Sequence, residues 1–156
     1  MKTILDLINE QAFFKDLSLP YRELIAGCGR NRVFNENETM ASYGQPAEVF
    51  YLVRSGRVLV ETTPSSGHGL VVQTLGPGEI LGWSWLFPPY QWTFDVIAAE
   101  KTHVIEFDAS CLRRKCEADS AMGYAFLRKF AGVMTDRLRA TRLQLLDIYG
   151  TQHGRN

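Results

Sequence analysis

The stretch from Gly76 to Asp95, GPGEILGWSWLFPPYQWTFD, constrains this chain more than any other. It holds all three tryptophans, three of the six prolines and three of the thirteen glycines. At that density of breakers and large rings it is neither a plain strand nor a plain helix. It predicts a strand end, a tight turn, a short helical turn, a loop and a strand start, with the rings turned toward a cavity or a partner.

The rest of the chain divides around it. Residues 3–10 carry Ile4, Leu5, Leu7 and Ile8 among polar positions, which suits a short amphipathic helix. Ser18-Leu19-Pro20 predicts a second helix start, because proline is tolerated where its missing N–H is not needed. That helix runs through Leu24 and Ile25 and stops near Gly27 and Gly29. From Val33 the period changes. Val49–Val53 and Val58–Thr62 predict a hairpin across Ser55-Gly56. Leu70–Leu75 follows the turn-forming PSSGHG, and Val96–Ala98 is joined to His103–Phe107 through Glu100-Lys101. Short strands punctuated by glycine argue for an antiparallel sandwich or small barrel. The expected segments are N-terminal helices over 1–30, a β-roll over 31–108, helices over 109–148 and a loose tail over 149–156.

Asp108 opens the helical part, capping a short helix to about residue 117, and Asp119 or Ser120 caps a longer one. Tyr124, Leu127, Ala131, Met134, Leu138, Thr141, Leu145 and Ile148 alternate three and four apart, the spacing of a heptad seam. Phe126, Phe130 and Val133 form a second apolar line. Two apolar lines need two partners, so one is expected on the sheet and the seam on the same helix of a second chain. In the simpler arrangement both lines bury against this chain's own sheet.

Whole-chain properties narrow the function. A formal net charge of zero gives no reason to expect nucleic-acid binding. No stretch approaches the roughly 18 apolar residues of a membrane span. Asp6, Asn9 and Glu10 interrupt the apolar start, a poor secretory signal, so a cytoplasmic location is expected. Three cysteines there fit reduced thiols rather than a disulfide framework. Cys111 and Cys116 are too far apart for a two-residue metal knuckle, and three cysteines alone cannot hold a four-thiolate cluster. His68 and His103 have no partner at ligand spacing, so neither metal nor haem is expected. Arg128, Lys129, Arg137, Arg139 and Arg142 are expected on a solvated helix face. No nucleophile–base pair is legible, so no enzyme is expected.

Several residues together resemble a known family. Gly44, Tyr51, Val53, Gly56 and Val58 follow the spacing G-x6-Y-x-V-x-x-G-x-V, and Leu75-Gly76-Pro77-Gly78-Glu79 with Gly82 is a sharper pattern. With Arg137-Leu138-Arg139-Ala140-Thr141 in the long helix, the chain is similar to cyclic-nucleotide-binding domains of the catabolite-activator (Crp/Fnr) type over roughly residues 10–148. The resemblance implies a double-stranded β-helix, or β-roll, followed by a long dimerisation helix.

It also implies a phosphate-binding cassette, approximately F-G-E-[LI]-[AG]-L and then R-x-A-x-V. There a helix start presents N–H groups to a phosphate, an arginine neutralises it and a glutamate accepts from the ribose. In Leu81-Gly82-Trp83-Ser84-Trp85-Leu86, Trp83 stands in place of the glutamate. In Trp92-Thr93-Phe94-Asp95-Val96, Trp92 stands in place of the arginine. An indole offers one donor, no acceptor and no charge. Losing the charged partner of a buried phosphate costs several kcal/mol, on the order of a thousandfold in affinity. Tight binding of cyclic AMP or cyclic GMP is therefore not expected, and Asp95 would repel an anion if it faced the pocket.

Two arrangements of that pocket stay open. Trp83, Trp85 and Trp92 fill it, with Pro88-Pro89 stiffening its lid; or they form a stacking platform for a flat, less charged ligand, bonded by Ser84, Thr93 and the amides near Gly82. Thr141 matches the position that reads the base in the family, and Arg142 replaces a hydroxyl residue beside it. Transcription factors of this type continue into a helix-turn-helix of roughly 60–80 residues. The tail YGTQHGRN (149–156) leaves no such module expected here. The expected function is a stand-alone, dimeric regulatory or ligand-sensing module. The alternative is an accessory subunit of a larger assembly, because similar domains accompany NAD-linked hydrogenases, with the aromatic cassette as fill or docking surface.

Overall fold

The structure, a computed structural model, describes residues 1–62 and 69–153. Most of the expected turn PSSGHG, with His68, and the end of the tail lie outside the described residues.

Two short helices lead in: α1 (Ile4–Asn9), closed by a Thr3–Asp6 capping box, and α2 (Leu19–Ala26), with Pro20 in its first turn. A 3-10 turn, Ala12–Phe14, lies between them. The strands are β1 (Gly29–Phe34), β2 (Thr39–Ala41), β3 (Val49–Ser55), β4 (Val58–Thr62), β5 (Leu70–Leu75), β6 (Ile80–Leu81), β7 (Asp95–Ala98) and β8 (Thr102–Asp108). They form two antiparallel sheets, in the orders β1-β8-β3-β6 and β2-β7-β4-β5. This is the expected β-roll, entered at Gly29 rather than residue 31.

The hairpin expected across Ser55-Gly56 is absent. Strand β3 pairs with β6 and β8, whereas β4 pairs with β5 and β7. Gly56 instead carries the chain around the corner between the sheets. Its φ of +98° suits glycine, and an added Cβ would meet the Lys101 carbonyl at 2.7 Å.

Helices α3 (Ala109–Ala118) and α4 (Ser120–His153) follow β8. Asp108 caps α3 by accepting from the Cys111 N–H at 2.9 Å, and Asp119 accepts from the Met122 N–H at 3.1 Å. Residues 149–153, expected as loose tail, continue α4. Phe126 and Phe130 are fully buried, and they meet Phe50 and Trp85 in one aromatic cluster. Burying each such ring contributes roughly 1.5–3 kcal/mol, which fixes the first half of α4 to the roll. The seam residues Tyr124, Leu127, Leu138, Leu145 and Ile148 are exposed, Met134 only partly so. One apolar line thus packs on the roll, as expected, and the other lies uncovered.

The cysteines depart from the expected reduced thiols. Cys28 and Cys111 form a disulfide, and only Cys116 is free. Strand register is the reason. Gly29 pairs with Phe107, and the Asp108 N–H donates to the Cys28 carbonyl at 2.9 Å, so Cys28 sits beside the first turn of α3.

Candidate functional site

The cassette is built from its turn upward. In Leu75–Glu79 the Gly78 N–H donates to the Val53 carbonyl at 2.7 Å and the Val53 N–H returns to the Glu79 carbonyl at 3.0 Å. The Glu79 carboxylate accepts from the Gly76 N–H at 2.6 Å. Gly78 has φ +87° and Gly82 φ +98°, conformations that glycine adopts without steric cost. These contacts tie the L-G-P-G-E turn to β3 and launch β6 toward the tryptophans.

Beyond Gly82 comes the expected short helical turn, Ser84–Leu86, and then the loop, which contains a cis Pro88–Pro89 bond. Its return is stitched to residues 44–47. Trp92 N–H donates to the Gln45 carbonyl at 2.9 Å, Gly44 N–H to the Trp92 carbonyl at 2.8 Å, and Ala47 N–H to the Tyr90 carbonyl at 2.7 Å.

The tryptophans take three different roles. Trp85 is core: it stacks on Phe50 with centroids 5.1 Å apart, and its indole N–H has no partner. Trp92 is buried, stacked at 6.3 Å on Tyr51, with its ring against Gly82. Trp83 is half-buried, and the Arg137 guanidinium lies over it at 5.1 Å. No tryptophan is exposed, so the exposed aromatics around the cassette are Tyr43, Phe87, Tyr90 and Phe94.

Between Trp83 and Trp92 there remains a cavity of about 50 Å³, lined also by Gly82, Ser84, Thr93 and Arg137. Pockets that hold a small organic ligand run roughly 300–1,000 Å³. Asp95 lies outside this lining and accepts from the Tyr43 N–H at 2.8 Å.

Arg137 corrects the expected solvated face. It is partly buried, donates to the Ile80 carbonyl and is the one cation in the cavity lining among the described residues. Burial pushes its guanidinium down to about 10, against an opposing pull from Glu79. Periodicity held the signal, because Arg137 lies four residues beyond Val133, on the line of Phe126 and Phe130 that packs on the roll. Arg113 of α3 was also missed. It donates to the Trp85 carbonyl at 2.6 Å and covers the Tyr90 ring at 5.0 Å.

Thr141 and Arg142 are not brought to the cavity. Both are exposed on α4, and the Thr141 hydroxyl donates to the Arg137 carbonyl at 2.9 Å. Among the described residues no group of three or more His, Cys, Asp or Glu could hold a metal ion. No helix described is long and apolar enough to cross a membrane.

Comparison with known proteins gives the same architecture. The sequence pattern of the cyclic nucleotide-binding domain family matches residues 31–119. A putative cyclic nucleotide-binding protein from Geobacter metallireducens GS-15 superposes with TM-score 0.77 at 23% identity, over 88% of this chain and 99% of that one. A cyclic nucleotide-binding domain from Methylobacillus flagellatus KT gives 0.78 at 17%, over 92% and 81%. The Thermus thermophilus catabolite activator protein gives 0.69 at 22%, over 88% and 62%. No curated protein sequence matches the chain.

Proposed function

The chain belongs to the cyclic nucleotide-binding domain family, and we propose that it is a regulatory module of that family whose phosphate pocket is closed. On this reading it binds neither cyclic AMP nor cyclic GMP tightly, catalyses nothing, and acts by protein contact in the cytoplasm rather than by reading DNA. The observation that carries it is the cavity of about 50 Å³ between Trp83 and Trp92. That volume is several-fold below what a nucleotide-sized ligand needs. The nearest guanidinium, Arg137, is already engaged by Trp83 and the Ile80 carbonyl. A chain of zero net charge supports a protein rather than a nucleic-acid partner.

Self-association through α4 belongs to the same reading. Leu127, Leu138, Leu145 and Ile148 are exposed apolar positions of one seam on a helix of 34 residues. An apolar line of that spacing is stabilised by pairing with a copy of itself. The alternative, an accessory subunit of a larger assembly, is favoured by Phe87, Tyr90 and Phe94, exposed around the cassette.

Titration calorimetry with cyclic AMP and cyclic GMP tests the main reading. No binding heat is expected up to millimolar nucleotide, and a micromolar dissociation constant for either would overturn it.

A further inference from the structure

Helix α3 is held at two places with different chemistry. At its first turn Cys111 is bonded to Cys28, across 83 residues of sequence. Two residues later Arg113 grips the tryptophan loop, through the Trp85 carbonyl at 2.6 Å and the Tyr90 ring at 5.0 Å. One rigid element of 10 residues therefore links a breakable bond to the cassette.

The bond is reachable. Both cysteines line an open groove of about 770 Å³, shared with Arg30, Glu48, Asp108 and Arg114. Cys111 is partly exposed, whereas Cys28 is only 8% exposed. A concave site of this size admits a tripeptide-sized thiol. Cys116 stands apart: it packs beside Gly123, and burial with Asp119 and Glu117 nearby pushes its thiol up.

We propose that Cys28–Cys111 is a reversible thiol–disulfide site for low-molecular-weight thiols, and that its state reaches the tryptophan loop through Arg113. In the first step the thiolate of the reagent attacks the Cys111 sulfur. A mixed disulfide forms there, the bond to Cys28 breaks, and the Cys28 sulfur leaves with the electron pair and takes a proton. A second reagent thiolate attacks the reagent sulfur of the mixed disulfide. The Cys111 thiolate is expelled and protonated, and the two reagent molecules depart as their own disulfide. Two electrons thus pass from the reagent to the protein pair. Without the tether, the first turn of α3 is held to β1 only by non-covalent contacts, and the Arg113 grip on Trp85 loosens.

All three tryptophans lie in this loop, so their emission reports on it directly. Reduced glutathione added to the full-length oxidised protein is expected to raise its mass by two hydrogens and shift the emission to the red. Oxidised glutathione should reverse both changes. Cys28→Ser, treated with oxidised glutathione, should accumulate the glutathione adduct on Cys111, its thiolate attacking the reagent disulfide and releasing one reduced glutathione, as mapped by peptide mass spectrometry. Arg113→Ala should undergo the same reduction without a further emission change, and Cys116→Ser should behave as the natural chain does. Full reduction of the natural chain with no emission change would overturn the link to the loop. A folded protein that resists glutathione, or takes the adduct on Cys116 instead, would overturn the site.

Discussion

The Trp92 ring lies directly over the α-carbon of Gly82, where an added methyl group would approach Cη2 to 2.7 Å and Cζ3 to 2.9 Å. Position 82 therefore requires glycine twice over, for its φ of +98° and for the indole above it. This contact sets the Trp92 ring against the glycine at the start of the tryptophan cassette.

Gly82→Ala is accordingly expected to cost about 2–4 kcal/mol, the sum of a strained backbone and a steric conflict. Urea unfolding measures it. In a Trp92→Ala background only the backbone part remains, so the two losses should combine to less than their sum. Strict additivity would mean that the ring does not press on Gly82.

Restoring charge to the pocket tests the correspondence with the family cassette. The double change Trp83→Glu, Trp92→Arg removes the two indoles that line the cavity and supplies a carboxylate and a guanidinium. A folded double variant is expected to gain calorimetrically measurable affinity for cyclic AMP or cyclic GMP. A folded variant that gains none would count against the correspondence.

The uncovered line on α4 is expected to hold two chains together. Leu138→Asp with Leu145→Asp places charges in the middle of it, at positions about half exposed in the single chain. Sedimentation velocity should show the natural protein at twice the chain mass and the variant at once. Circular dichroism should show the roll intact, because neither residue touches the core. A natural protein that sediments as a single chain would refute pairing.

Tyr51 sets an alkaline limit. Burial, with Glu106 beside it, pushes its phenol up to about 12, from an ordinary value of 10.0. The folded chain therefore keeps this proton longer than the unfolded chain does. Its contribution is complete below pH 10 and is lost as pH rises through about 12, a change of about 3 kcal/mol. Thermal melting across that window should fall less steeply for Tyr51→Phe than for the natural chain. Equal slopes would show that the phenol does not control the decline.

Much of this architecture is legible from local pattern. Proline in the first turn of α2, the β-rich runs of β3 and β4, Asp108 before α3 and the two apolar lines of α4 each report a backbone preference within a few residues. The same holds for the cassette, where glycines and tryptophans at fixed offsets mark turn, helical turn and loop. What failed were statements about partners. Ser55-Gly56 looks like a hairpin because both flanks are strands, yet hydrogen bonding to β8 and β7 sends them to different sheets.

The sequence alone determined that the cassette carries Trp83 and Trp92, uncharged rings, on either side of Pro88-Pro89, since residue identity needs no coordinates. It also determined that α4 has two apolar lines, because the helical period is a local property. Only the tertiary structure decided that Trp92 seals Gly82, that Arg137 turns inward and that Cys28 meets Cys111. Each of these depends on the register between segments far apart in the chain, and that register is set by packing over the whole core rather than by any neighbouring residues.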